Sequence, residues 1–252
     1  MKSSSFFTVN DEQIDLSQVI KYLQVSGKLN QFISDVIRQY VIEQELQTRT
    51  DIDISPALIE QTIIDFRLKN QLTDPQNFQD WLRNNGSDYT TFHESVIFSF
   101  QLEKLKALVA EEKLPEHFIE HKIYLDRVVL SRIMVDSREL AEELQTQIEE
   151  GSSFEQLAKE YSLADERIFN GMMGPISRGS LPDVLRAAID AANPGQMTGV
   201  IELEGRFSLF RVEQFLPASL EDTQLKKSLE NELFDKWLGS KIQNLTVKLQ
   251  VS

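Results

Sequence analysis

Cysteine is absent from the 252 residues. That excludes disulfides, thiolate metal sites and a cysteine nucleophile. Basic residues are also short, with 26 Lys and Arg against 40 Asp and Glu, a formal net charge of -14. Such a surface repels phosphate backbones and anionic lipid heads, so neither nucleic acid nor a membrane surface is an expected partner. No run approaches the roughly 18 apolar residues of a membrane span. The first residues, Met1-Lys2-Ser3-Ser4-Ser5-Phe6-Phe7-Thr8-Val9, lead straight into Asn10-Asp11-Glu12. The apolar stretch of about 7–15 residues that a secretory signal needs is missing, and the chain as written is expected in the cytoplasm. No glycine-rich phosphate loop occurs, and Asp51 and Asp53 lack the spacing of a calcium loop. No cofactor is expected.

What is present is a globular balance, 41% apolar and 26% charged residues. Up to about Ala110, apolar residues recur three and four apart, as in Phe32, Val36, Ile37, Tyr40 and Val41, the mark of amphipathic helices. Ser55-Pro56 and Thr73-Asp74-Pro75 read as capped helix starts. Asn84-Asn85-Gly86 reads as a stop, and Asp88 or Thr90 caps a long helix through Phe92, Val96, Phe100 and Leu105. The period changes after Tyr124. Arg127–Val135 reads as a strand, Ser137 caps a helix ended by Gly151, and Phe154–Tyr161 is a second helix. A loop with Gly171, Gly174, Pro175 and Gly179 follows, then a helix from Leu185 to Ala192. Strands at Met197–Leu203 and Phe207–Phe215 complete a βααβαββ-like order. After Pro217 come a helix carrying Leu225, Leu229, Leu233, Phe234 and Trp237, and a tail with Leu245, Val247, Leu249 and Val251. The expected class is α+β: a helical domain over 1–121, a small α/β domain with a mostly antiparallel sheet over 122–217, and a C-terminal helix and tail over 218–252.

Residues 125–216 resemble the parvulin-type (PpiC, rotamase) peptidyl-prolyl isomerases. The likeness is carried by Leu130-Ser131-Arg132-Ile133-Met134-Val135, Phe154-Glu155-Gln156-Leu157-Ala158, Asn170-Gly171-Met172-Met173-Gly174, Ser177-Arg178-Gly179-Ser180-Leu181-Pro182 and Phe207-Ser208-Leu209-Phe210-Arg211-Val212. Residues 10–121 are similar to the helical N-terminal part of SurA/PrsA-type foldases, whose C-terminal helix packs back on that part. The resemblance implies an isomerase and chaperone acting on unfolded or flexible protein segments. Clients that contain proline suit the pocket, and basic ones suit the acidic surface. It places the proline pocket at Met173, Leu181 and Leu185, with Ile176 and Ile189 beside them. The family's paired histidines fall at Arg132 and Ser208, and its middle polar position falls at Ala164 or Asp165. Arg132, Asp165 and Ser208 are therefore the expected catalytic set, and Arg132 with Ser208 a substitute polar pair. The loss of both imidazoles leaves open a second reading, a weak or inactive holdase or escort for one peptide. Arg138 alone does not make a phosphate-binding cluster, so phosphoserine reading is not expected.

All three histidines, His93, His117 and His121, lie outside that domain. His117-Phe118-Ile119-Glu120-His121 spells the inverted zinc-protease pattern. No downstream third ligand can be singled out, so a charged helix is the plainer reading and no metal is expected. The acidic run Glu139, Glu142, Glu143, Glu149 and Glu150 reads as a solvated helix face.

Overall fold

The computed structural model describes residues 5–249, so Met1–Ser4 and the tail's Val251 lie outside the described residues. The chain divides into two compact units, Met1–Lys113 with Glu230–Ser252, and Leu114–Leu229. The first boundary thus falls at Lys113 rather than after residue 121, because the helix Leu114–Leu125 belongs to the second unit. The last boundary falls inside a helix rather than at residue 218.

In the first unit, a hairpin of β1 (Ser5–Val9) and β2 (Glu12–Asp15) precedes five helices. They are α1 (Leu16–Val25), α2 (Leu29–Thr48), α3 (Pro56–Lys69), α4 (Pro75–Asn84) and α5 (Tyr89–Ala110). Their starts follow side-chain chemistry. Asp15 and Gln18 form a reciprocal capping box, Asp74 accepts from the Gln76 and Asn77 amides, and Asp88 accepts from Thr91. Each satisfies amides that a first turn leaves unpaired. Ser55 departs from expectation: it precedes Pro56 but makes no side-chain cap bond. The core joins Val41 and Ile42 of α2 and Leu105 of α5 to Phe234 and Leu238 of α10 (Thr223–Gln243). Arg38–Asp235 and Lys241–Glu45 pairs flank it. Phe32, Val36 and Tyr40, one turn apart on α2, stay exposed. The tail's Leu245, Val247 and Leu249 are also exposed.

The second unit opens with α6 (Leu114–Leu125) and continues through β3 (Arg127–Val135), α7 (Arg138–Glu149), α8 (Phe154–Tyr161), β4 (Met172–Ser177), α9 (Asp183–Asp190), β5 (Ile201–Leu203) and β6 (Arg206–Leu216). The sheet runs in the order β4-β3-β6-β5 with every pairing antiparallel. Two expectations need correction. The loop proposed around Gly171–Gly179 contains an edge strand, and its Pro175 is tolerated because an edge leaves one side of the backbone unpaired. The strand proposed over 197–203 shrinks to β5, with a single bridge from Met197 to Arg211.

Side chains alternate across the sheet, as the strand period of two requires. On one face Ile133, Val135 and Leu209 pack beneath Ala141 and Leu144 of α7 and Phe154, Leu157 and Ala158 of α8. On the other, Val128, Leu130, Phe210 and Val212 pack beneath Leu181 and, from α9, Leu185 and Ile189. Asp126, buried before β3, accepts from Lys122 Nζ at 2.6 Å and from the Ala218 amide at 2.8 Å, which ties α6 to the chain beyond β6.

Candidate functional site

α9 covers only part of its face of the sheet. The uncovered part forms an open cavity of about 610 Å³ lined by Met173, Ile176, Leu181, Pro182, Leu185, Leu203 and Phe210, with Arg132, Met134, Glu204, Arg206 and Ser208. The cross-strand register explains the grouping. Arg132 sits opposite Phe210 and Met134 opposite Ser208, so the four share one face at the open end of the sheet. The floor is apolar and largely sealed: Leu181, Leu185 and Phe210 are buried.

Met173, Ile176, Leu181, Leu185, Arg132 and Ser208 thus converge on one groove. Two expected residues do not. Ile189 is fully buried in the core behind the floor, one turn of α9 beyond Leu185. Asp165 is exposed at the start of a 3₁₀ turn (Asp165–Phe169) and does not line the cavity; Ala164 is buried beside it.

The carboxylate that meets Arg132 belongs to the residue after Asp165. Glu166 accepts from Arg132 Nη2 through both carboxylate oxygens, at 2.9 and 2.7 Å. Their side chains are 22% and 25% exposed, so the pair is largely withdrawn from solvent. Burial alone would push the Glu166 carboxyl up. The hydrogen bonds from Arg132 and from its own backbone, with the Arg132 charge, outweigh that and hold it below the ordinary value. The expected Arg132–Ser208 pair is not formed, because the guanidinium turns to the stronger partner, a carboxylate. Arg132 Nε remains occluded with no hydrogen-bond partner.

The turn that delivers Glu166 is held tightly. Asn170 and Gly171 are both left-handed (φ 59° and 86°), and Gly171 accepts from the Arg132 amide at 2.8 Å while donating to the Glu166 carbonyl at 2.8 Å. Sequence reasoning missed Glu166, Met134, Arg206, Glu204, Leu203, Pro182 and Phe210 as lining or supporting residues. For Met134 and Phe210 a signal existed, since each lies two residues from an expected site residue on the same strand face.

On the opposite face, Arg211 stacks over Phe154 at 4.6 Å and bonds Glu155 at 2.7 Å and Glu213 at 2.8 Å. The Arg211 bond, with the Glu155 backbone amide and Ser153 hydroxyl, lowers the Glu155 carboxyl from 4.5 to about 2. A depressed carboxyl contributes stability above its unfolded value and loses it as the pH falls through the folded value. This contribution is therefore present above about pH 4.5 and disappears between 4.5 and about 2. A carbon-detected NMR titration of Glu155 should give a midpoint near 2 in the native chain and a clearly higher one in Arg211→Met, where only the backbone and Ser153 bonds still hold it down. An unchanged midpoint in the variant would contradict the assignment.

Residues 131–214, a third of the chain, match the rotamase family, described as a PPIC-type PPIASE domain. The chain is PrsA-like, with a parvulin-type rotamase domain. The protein named foldase protein PrsA 1 from Listeria innocua is 27% identical over 131 residues, covering 50% of this chain and 44% of that protein. The chain thus spans less than half of that relative. Foldase protein PrsA 2 from Bacillus anthracis is 24% identical over 265 residues, covering 99% of this chain and 86% of that protein. The crystal structure of the peptidylprolyl isomerase PrsA from Bacillus cereus covers 99% of this chain and 95% of that one, at 18% identity and a TM-score of 0.47.

Proposed function

We propose that this protein is a foldase: a peptidyl-prolyl cis-trans isomerase and chaperone that seats the proline of an unfolded or flexible client in the sheet cavity. The observation that carries this reading is the cavity itself, with a sealed apolar floor under Met173, Leu181, Leu185 and Phe210 and a fixed guanidinium at Arg132. Rotation about an Xaa-Pro bond is opposed by a barrier of about 20 kcal/mol that comes from amide resonance, so the reaction needs no nucleophile. The planar imide is more charge-separated than the twisted one, and an apolar floor disfavours the planar form. Arg132, held by Glu166, stands where it can hydrogen-bond the client's backbone carbonyl as the ring turns. That interaction is prepaid in geometry, since the guanidinium does not reorganise during the reaction.

The exposed row Phe32, Val36 and Tyr40 on α2 suits weak contact with apolar client segments. The net charge of -14 favours basic clients. Arginine and serine standing where the family carries imidazoles favour a second reading, a holdase that grips proline segments without turning them.

A protease-coupled assay on a short proline peptide separates the two. Isomerisation faster than buffer is expected. Met173→Ala should lower that acceleration at least about tenfold, the scale for losing a methylene or more from an apolar pocket. No acceleration, with client aggregation still suppressed, selects the holdase.

A further inference from the structure

Away from the cavity, one group of side chains with ligating atoms converges among the described residues. On α6, His117, Glu120 and His121 bring a ring nitrogen of each histidine and a carboxylate oxygen within 4.8 Å of one another. Helical spacing allows it, since residues three and four apart share a face. Two observations go beyond spacing. The imidazole rings lie against each other with centroids 4.2 Å apart. His121 Nδ1 lies 2.9 Å from the His117 carbonyl oxygen. A carbonyl only accepts, so Nδ1 carries a proton, and in the neutral ring Nε2 keeps its lone pair. That is the tautomer an imidazole needs to ligate through Nε2, with its second nitrogen held by an outer partner. His117 is buried, His121 half-buried and Glu120 exposed, so the cluster is anchored on one side and open on the other.

We propose that His117, Glu120 and His121 form a binding site for a divalent transition-metal cation, Zn²⁺ foremost. Two imidazole nitrogens and one carboxylate oxygen suit borderline cations such as zinc and nickel better than calcium or magnesium, which take oxygen sets. Glu120 serves here as a ligand, whereas the inverted zinc-protease pattern uses its glutamate as the general base. Its effect is mechanical. A cation chelated across one turn fixes the half of α6 that leads through Asp126 into β3, and binding to the native state alone stabilises the fold by mass action. The site is independent of the rotamase reading and is read without any isomerase assay.

Isothermal titration of the metal-free full chain with zinc chloride is expected to show one equivalent bound. His121→Ala, a half-buried position, should weaken binding by about 100-fold or more, beyond the roughly 10–100-fold cost of losing even an outer partner. Glu120→Gln should weaken it by at least about tenfold, on the same scale. His93→Ala, on α5 and outside the cluster, should leave it unchanged. Cobalt(II) substituted for zinc should give visible d–d absorption that His121→Ala removes. Absence of binding, or binding that His121→Ala leaves intact, overturns the proposal. Circular dichroism of each variant verifies that the fold persists, and both substituted positions reach solvent.

Discussion

Gly171→Ala is expected to destabilise the rotamase unit by about 2–5 kcal/mol, and to dislodge Arg132 as it does so. Two effects add. Gly171 has a φ of +86°, where a residue with a Cβ is strained by about 1–2 kcal/mol. A Cβ there would also meet the Arg132 carbonyl oxygen at 2.8 Å and the Ala158 Cβ at 3.2 Å. The first neighbour is backbone in the central pairing of the sheet and the second is a fully buried residue of α8, so neither yields cheaply; overpacking of this kind costs about 1–3 kcal/mol. Gly174 is the internal control. Its φ of +77° is similar, but a Cβ there meets nothing within 4 Å. Gly174→Ala should therefore show only the conformational part, about 1–2 kcal/mol. Urea unfolding of both variants, followed by hydrogen exchange at β3 and β6 amides, tests the difference. Equal losses would mean that the close approach to Arg132 carries no energy. Because Gly171 also closes the turn bearing Glu166, its variant should lose the low Glu166 titration, whereas Gly174→Ala should keep it.

Phe210→Ala is expected to cost about 3–5 kcal/mol, the range for truncating a buried phenylalanine. Phe210 is 1% exposed and packs among Val128, Leu130, Leu181, Leu185, Ile189, Ile201 and Val212 while its ring forms part of the cavity floor. The substitution thus removes core contacts and deepens the cavity at once. Both tryptophans, Trp81 and Trp237, belong to the helical unit, so their fluorescence does not report on this site. Hydrogen exchange in β3 and β6 is the suitable readout. Leu209→Ala, facing the opposite cluster, should destabilise by about 2–5 kcal/mol without altering the cavity. Equal loss of peptide binding in the two variants would contradict a floor role for Phe210.

Local chemistry made much of this architecture legible. Asp74-Pro75 and Asp88 mark helix starts because a carboxylate beside unpaired amides is a short-range interaction, visible in consecutive residues. The β-branched run of β3 is legible for the same reason. β4 was hidden because glycines and Pro175 resemble a loop, and only pairing with β3 makes the segment a strand. At the site, the resemblance located Met173, Ile176, Leu181 and Leu185, but Ile189 lies one helical turn too deep. Arg132 was paired with Ser208 in the sequence and Asp165 was given the middle polar position, whereas the carboxylate that meets Arg132 is the neighbouring Glu166. The choice depends on how a 3₁₀ turn is oriented, 34 residues from its partner. No periodic pattern encodes a contact of that range.

Titrating the ¹³C-methyl-labelled full chain with a short proline peptide is the most direct measurement. Methyl resonances of Met173, Ile176, Leu181 and Leu185 should shift together with the Arg132 side chain, and an otherwise identical peptide with alanine in place of proline should leave them in place. Shifts confined to the helical unit, or the same shifts with the alanine peptide, would contradict a proline-accepting cavity.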